Sequence, residues 1–284
     1  MPLRLPMRAR TGPERPTRGG RGDGPLRGLP APHIETYAPR DVAFAISAWP
    51  LRAAEELRSA LIFHALAHAS ARSPITAEWT PQFVAATHDE VAHARFCAAV
   101  GARLGAAPPR WDAHPVRARL RPMTEPLLRA SALTLVEVAI GETISMAMFR
   151  AGRRAAREPL TRAALERILT DEVRHQRLGW NAMGAWLPDL PAEIRGALQE
   201  EARLALGAME QKVAVPALRR LEANVPFESA YAALGVLAPE ARVEAFYFAT
   251  ERLVLPRLSR LGLDGERAWQ HRYAHTRAKE GSHP

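Results

Sequence analysis

From residue 40 onward the apolar positions recur at three- and four-residue intervals, with little of the strict alternation that marks strands. Proline and glycine punctuate the places where the chain has to turn. The pattern predicts an all-α protein. Pro50 is placed to open a first helix running to about Ser70, and Thr80 with Pro81 offers an N-cap and a first-turn proline for a second ending near Gly101. A linker rich in Pro and Arg follows. Thr124 and Pro126 start a long third helix ending near Arg157, and Glu158-Pro159 turns the chain into a fourth that ends before Pro188. Beyond Pro191 the pattern gives one amphipathic helix to about Ala223, another from Pro239 to about Arg260 that Pro256 should kink, and a short segment containing Trp269. The expected organisation is a tail over residues 1–39, a four-helix bundle of two hairpins in series over 40–188, and a helical extension over 189–284 packed on that bundle.

Composition sharpens this picture at the N-terminus. A chain of 284 residues that is 47% hydrophobic can build a substantial core. The first thirty or so residues, rich in Pro, Gly and Arg, cannot bury enough apolar surface to offset their ordering entropy, so the tail is expected to be disordered. The net charge of +9 comes from 39 basic and 30 acidic residues. Residues 1–40 hold eight Arg against Glu14, Asp23 and Glu35, a balance of +5, leaving +4 for the remaining 244 residues. A solvated basic tail accounts for the charge, and nucleic acid is not an expected partner. Cys97 is the only cysteine, which excludes an intrachain disulfide, a four-cysteine zinc site and an iron–sulfur cluster. No run reaches the roughly 20 uninterrupted apolar residues of a membrane helix, so no membrane partner and a cytoplasmic location are expected.

The chemistry lies in an internal repeat. Asp89-Glu90-Val91-Ala92-His93-Ala94-Arg95 in the second helix is echoed by Asp171-Glu172-Val173-Arg174-His175-Gln176-Arg177 in the fourth. Glu and His three apart lie about 60° from each other on one helix face, so each copy can aim a carboxylate oxygen and an imidazole nitrogen at one metal ion. A lone Glu-x-x-His is usually a solvated pair. Two copies, each on the second helix of a hairpin whose first helix also offers a glutamate, form the ligand set of a carboxylate-bridged dinuclear site.

Height along antiparallel helices narrows the third-helix ligand. With a turn at residue 158, Glu142 lies 16 residues before it and Glu172 14 after it. Glu137 would sit on the order of 10 Å too high at 1.5 Å per residue, so Glu142 is preferred. In the first hairpin the same test leaves Glu55 and Glu56 open, because the turn around residues 72–79 is long.

Hard carboxylate oxygens that can bridge and change coordination mode, completed by imidazole, suit iron or manganese. Zinc favours a closed tetrahedral set with sulfur or more histidine, and magnesium fewer imidazoles. Two Fe ions are the expected cofactor, with a Mn/Fe pair or two Mn as alternatives. Asp89 and Asp171 precede the motif glutamates in both copies, where each can accept the second N–H of a ligating imidazole. Arg95 and Arg177 are repeated too and read equally as salt-bridge partners or exposed charges. His64, His68 and His88 read as packed or exposed imidazoles, and Met146 and Phe149 as core residues that would line an apolar pocket if the site takes an organic substrate.

Gly141-Glu142-Thr143, the two Asp-Glu-Val-x-His runs, Leu178-Gly179-Trp180, and Glu56 with Ser59 and Phe63 together resemble the ferritin-like domain family of bacterial di-iron carboxylate proteins. The resemblance covers roughly residues 45–187, with a weaker echo in Leu253 to Leu263. It implies a ferritin-like four-helix bundle, Glu56 as the first-helix ligand, and a ligand set of Glu56, Glu90, His93, Glu142, Glu172 and His175. That wider superfamily includes oxygenases, N-oxygenases, ribonucleotide reductase small subunits and ferroxidases. Ile168 stands four residues before Glu172, where arylamine N-oxygenases carry an extra histidine, which weakens that branch. Cys97, one turn beyond His93, resembles the position of a radical tyrosine in reductase subunits and of a cysteine in some hydrocarbon monooxygenases. Without tyrosine a stable tyrosyl radical is not expected, and a buried apolar filler is the simpler reading.

The expected function is a non-haem di-iron oxidase or oxygenase. Its partners would be dioxygen, a small organic substrate and an electron donor, and a homodimer is compatible with it. The alternatives are a ferroxidase or peroxide-scavenging protein with iron itself as substrate, and a helical scaffold or RNA-binding module without catalysis.

Overall fold

The computed structural model describes residues 26–113, 116, 123–223, 229–270 and 272–273. Among these every regular element is helical and there is no strand. The first helix, α1 (Pro39–Ser70), starts well ahead of Pro50, which lies inside it. An interior proline costs about 3 kcal/mol in its lost hydrogen bond and ring clash. Ala45, Trp49 and Ala53 lie one turn apart across the proline and are fully buried. A buried large side chain such as Trp49 contributes on the order of 1.5–3 kcal/mol, so one continuous apolar face outweighs the local break. The Pro50 ring is accommodated by Gly101 of the next helix, where a Cβ would meet Pro50 Cδ at 3.4 Å.

A 3₁₀ turn, Ala77–Trp79, leads directly into α2 (Thr80–Arg103). Thr80 therefore begins the helix and does not cap it: Trp79, at the cap position, already has helical backbone and makes no side-chain cap bond. The third helix, α3 (Pro126–Ala155), is capped by Glu125 rather than Thr124, through its carboxylate on the Leu127 and Leu128 amides. Its middle, Thr134–Gly141, is π-helical. The fourth, α4 (Pro159–Trp186), starts where expected. Glu158, fully buried, accepts from Leu160 N at 3.0 Å and Thr161 N at 2.7 Å.

Short connections set α1 against α2 and α3 against α4, while α1 also packs on the start of α3 and α2 on α4. The helix Pro126–Ala155 is long and apolar enough to cross a membrane, but 78% of its most apolar window is buried inside the protein. The close fit of α4 on α3 depends on Gly179, where a Cβ would lie 2.5 Å from Ala139 N in the π segment.

The expected single helix after Pro191 is two, α5 (Ala192–Val213) and α6 (Val215–Glu222). The break at Ala214 follows from Pro216, which has no N–H for the Lys212 carbonyl. The next helix, α7, runs as Pro239–Tyr247, a π segment Phe248–Val254, and Leu255–Arg260, so the disruption ahead of Pro256 takes π form. A short α8 (Gly265–Trp269) follows, capped by Asp264 on Arg267 N. Leu198, Leu206, Phe246 and Trp269 of these elements share one core cluster with Phe63, Phe83 and Leu135.

The tail expectation is corrected over residues 26–38. Leu26 is 4% exposed in a core cluster with Trp49 and Leu104, His33 N donates to Glu158 at 3.3 Å, and Arg103 reaches the carbonyls of Leu29 and Pro30. Residues 1–25 lie outside the described residues.

The core is in two parts. One gathers the beginning of α1, the end of α2 and the beginning of α4 around Trp49, Cys97, Phe149 and Leu165. The other gathers Phe63, Phe83, Leu133 and Trp186 with the C-terminal helices. Each of the four long helices crosses from one part to the other, and a polar layer lies at the crossing.

Candidate metal centre

The polar layer is built from Glu56 of α1, Glu90 and His93 of α2, Glu142 of α3, and Glu172 and His175 of α4. All six are buried, none more than 7% exposed. Their ligand atoms fall into two overlapping groups, Glu56–Glu90–His93–Glu172 and Glu90–Glu142–Glu172–His175, each with its atoms within 4.8 Å of one another. Glu90 and Glu172 belong to both. Such sharing would let the two groups hold two adjacent cations, with Glu90 and Glu172 common to both and one further glutamate and one imidazole for each.

Glu55 and Glu56, which the height test leaves open, are separated here, as are Glu137 and the preferred Glu142. Glu55 is exposed and pairs with Lys212 at 2.9 Å, and Glu137 accepts from Arg58 Nη2 at 2.8 Å; neither belongs to the groups. His64, His68 and His88 are exposed. Met146 and Phe149 are buried in the helix packing. Cys97 is fully buried among Trp49, Val100 and Phe149, and burial, with Glu56 nearby, pushes its thiol well above its ordinary range.

The imidazoles are held from behind, and the holding is crossed. His93 Nε2 lies 3.3 Å from Asp171 Oδ2, and His175 Nε2 lies 3.3 Å from Asp89 Oδ2, so each repeat's aspartate serves the other repeat's histidine. An N–H donated at Nε2 fixes the tautomer that leaves Nδ1 as a ligand lone pair facing the carboxylates. Arg174 ties the two aspartates together, at 3.2 Å to Asp89 and 2.9 Å to Asp171. The Phe63 ring packs on His175 with centroids 5.3 Å apart.

In front, the polar atoms are orphaned. Both carboxylate oxygens of Glu90, Oε2 of Glu172, and Nδ1 of His93 and of His175 are buried without a hydrogen-bond partner. Close approaches such as His175 Nδ1 to Glu90 Oε1, at 2.8 Å, bring the atoms together without hydrogen-bond geometry. Leaving buried polar groups unpaired costs on the order of 1–3 kcal/mol each, and more for charged ones. Four carboxylates converging in an apolar core need compensating positive charge. The donor set, four carboxylates and two imidazoles, is compatible with a metal site.

The ionisation pattern without ions reflects the same crowding. Burial and the neighbouring Glu90 and Glu172 push the Glu56 carboxyl well up, and burial with Glu172 and Glu90 does the same to Glu142. Burial pulls His93 down, but Asp171 and Glu172 outweigh it and raise the imidazole to about 10. Burial acts likewise on His175, and Asp89, Glu172 and Glu90 prevail to raise it. Glu172 is held below the usual carboxylate range, because His175 and His93 outweigh its burial. A cation bound in this layer would compete with protons on these groups, so its occupancy would rise with pH.

A second polar cluster adjoins Glu142 and was not foreseen. Thr143, fully buried, donates from Oγ1 to Ala139 O at 2.7 Å and receives Trp180 Nε1 at 2.9 Å, Gln176 Nε2 at 3.2 Å and Arg257 Nη1 at 3.4 Å. It joins α3, α4 and α7 beside a ligand. Thr143 and Trp180 stand out in the sequence only through family resemblance. Arg257, more than a hundred residues away, gives no local signal.

A search of family models, curated proteins and solved structures finds no match to this chain.

Proposed function

We propose that this chain is a ferritin-like di-iron carboxylate oxidoreductase that activates dioxygen to oxidise or oxygenate a small organic molecule. One observation carries the reading: six buried side chains from four helices converge in two groups that share Glu90 and Glu172. Glu56 and His93 would complete one ion's sphere, and Glu142 and His175 the other's. Two such ions supply reversible electron transfer and open positions for dioxygen. Glu90 and Glu172 would hold the pair together. Asp89 and Asp171 would keep Nδ1 of each imidazole free to ligate. The apolar clusters above and below the layer exclude bulk water, which strengthens every charge interaction inside it.

The test is metal analysis of chain expressed with iron and with manganese, followed by oxygen uptake after anaerobic ferrous loading. The expected result is about two ions per chain in a small oligomer and uptake of dioxygen that ends with the ferrous iron. Ferric mineral in a cage-sized assembly would transfer the chain to the ferroxidases. Protein that holds no metal and binds RNA with a steep salt dependence would overturn the reading.

A further inference from the structure

The two sides of the centre differ in access. On the α2–α4 side Asp89 and Asp171 stand behind the imidazoles, and the Arg174 guanidinium spans both aspartates. On the α1–α3 side the terminal ligands Glu56 and Glu142 enter from helices that repeat no motif. Next to them, one ion pair links the same two helices. Arg58, two residues past Glu56, reaches Glu137, five residues before Glu142, at 2.8 Å. The Glu137 side chain is 8% exposed and that of Arg58 33%, so the carboxylate is the inner half of the pair and the guanidinium the outer half.

The outer half faces a groove of about 400 Å³, lined by α1, residues 110–112 and 116, and Lys212 of α5. The volume lies at the small end of the range for ligand sites. Its walls are of two kinds. The indole of Trp111, 40% exposed, makes the apolar surface, with Ile62 and Val116 buried beneath the groove. Arg58, Arg110 and Lys212 bring three cations against the carboxylates of Glu55 and Asp112. Lys212 is engaged by Glu55 and Arg58 by Glu137, while Arg110 has no ion pair among the described residues. A flat apolar wall beside forked guanidinium groups suits an aromatic or aliphatic body with an anionic head.

Resting on the oxidoreductase reading above, we propose that this groove is the docking site for the organic substrate, a small carboxylate- or phosphate-bearing molecule whose anionic head takes Arg58 from Glu137. The apolar body lies along the exposed indole of Trp111. Exchange of partners at Arg58 loosens an ion pair that bridges α1 and α3 beside Glu56 and Glu142, opening the seam between them to the bound molecule.

The experiment is calorimetric titration of the metal-loaded chain with benzoate, phenyl phosphate and neutral benzamide, with metal content measured on the same samples. One or both anions should bind saturably below about 10 mM, and benzamide at least about tenfold more weakly. Arg58→Gln should weaken the anion about tenfold, the scale of one charge-assisted hydrogen bond. Glu137→Gln removes the internal competitor and should tighten it several-fold, an effect that a purely structural ion pair would not produce. If Glu137→Gln fails to fold, the exposed Arg110→Gln takes its place, with a loss of several-fold expected. Equal binding of benzamide, no saturable binding of either anion, or unchanged affinity in the Arg58 variant would overturn the groove in protein that keeps its ions. Benzoate binding in a chain that holds no metal would overturn the substrate role through failure of the metal reading instead.

Discussion

On the α2–α4 side of the polar layer, two copies of one seven-residue run face each other, and each copy supplies a glutamate common to both groups, an imidazole and the aspartate that orients the opposite imidazole. On the α1–α3 side, Glu56 and Glu142 come from unrelated surroundings. Glu56 follows an exposed Glu55 and precedes Arg58, whereas Glu142 closes a π segment and adjoins the Thr143 cluster. The contrast separates two tasks. On the repeated side each imidazole is held by a hydrogen bond to the other repeat's aspartate. On the unrepeated side Glu56 and Glu142 enter one group apiece, among elements that differ from helix to helix.

The contrast is sharpest in bound metal. Glu172→Ala removes a ligand common to both groups and should empty nearly the whole site, whereas Glu142→Ala removes one terminal ligand and should cost about half of the metal. Metal analysis of the two purified variants checks this, and equal losses would erase the distinction between bridging and terminal glutamates. Equal and unchanged content in Glu142→Ala would return Glu137 to consideration.

A smaller effect tests the crossing. Asp89→Asn or Asp171→Asn should each lower metal affinity by about 10–100-fold without emptying the site at high metal concentration. In ¹⁵N spectra of the metal-free chain, Asp89→Asn should shift the His175 ring and leave His93 nearly unmoved, with Asp171→Asn doing the reverse. A shift of the histidine in the same repeat would show that each motif orients its own imidazole.

The smallest change concerns Thr143. Thr143→Val keeps the shape and removes the acceptor of Trp180, Gln176 and Arg257, so unfolding should become easier by about 1–3 kcal/mol. Metal content should stay near that of the parent chain. Chemical denaturation alongside metal analysis separates the two quantities. A loss of metal as large as that of Glu142→Ala would make the cluster part of the centre.

Much of this was legible in the chain. Glu158-Pro159 announces the start of α4, because a carboxylate followed by proline caps a helix from local chemistry alone. Pro50 misled for the complementary reason. Its local signal is a helix start, yet the face formed by Ala45, Trp49 and Ala53 is read only once the opposing helices are in place. Of the residues that converge in the polar layer, the pairs Glu90–His93 and Glu172–His175 are legible because a three-residue spacing is fixed by a single helix, Glu142 through its height, and Glu56 only through resemblance.

The sequence by itself determined the helical periodicity, the repeated ligand pairs and the residue types that suit hard transition ions. These follow from rotation and rise along one helix, which the neighbours do not alter. Only the tertiary structure decided that Glu56 rather than Glu55 turns inward, that Glu137 is given to Arg58, and that each aspartate crosses to the other histidine. Those choices depend on how four helices are rotated against one another. That rotation is set by burial of apolar surface on all of them together, and no single stretch of chain contains it.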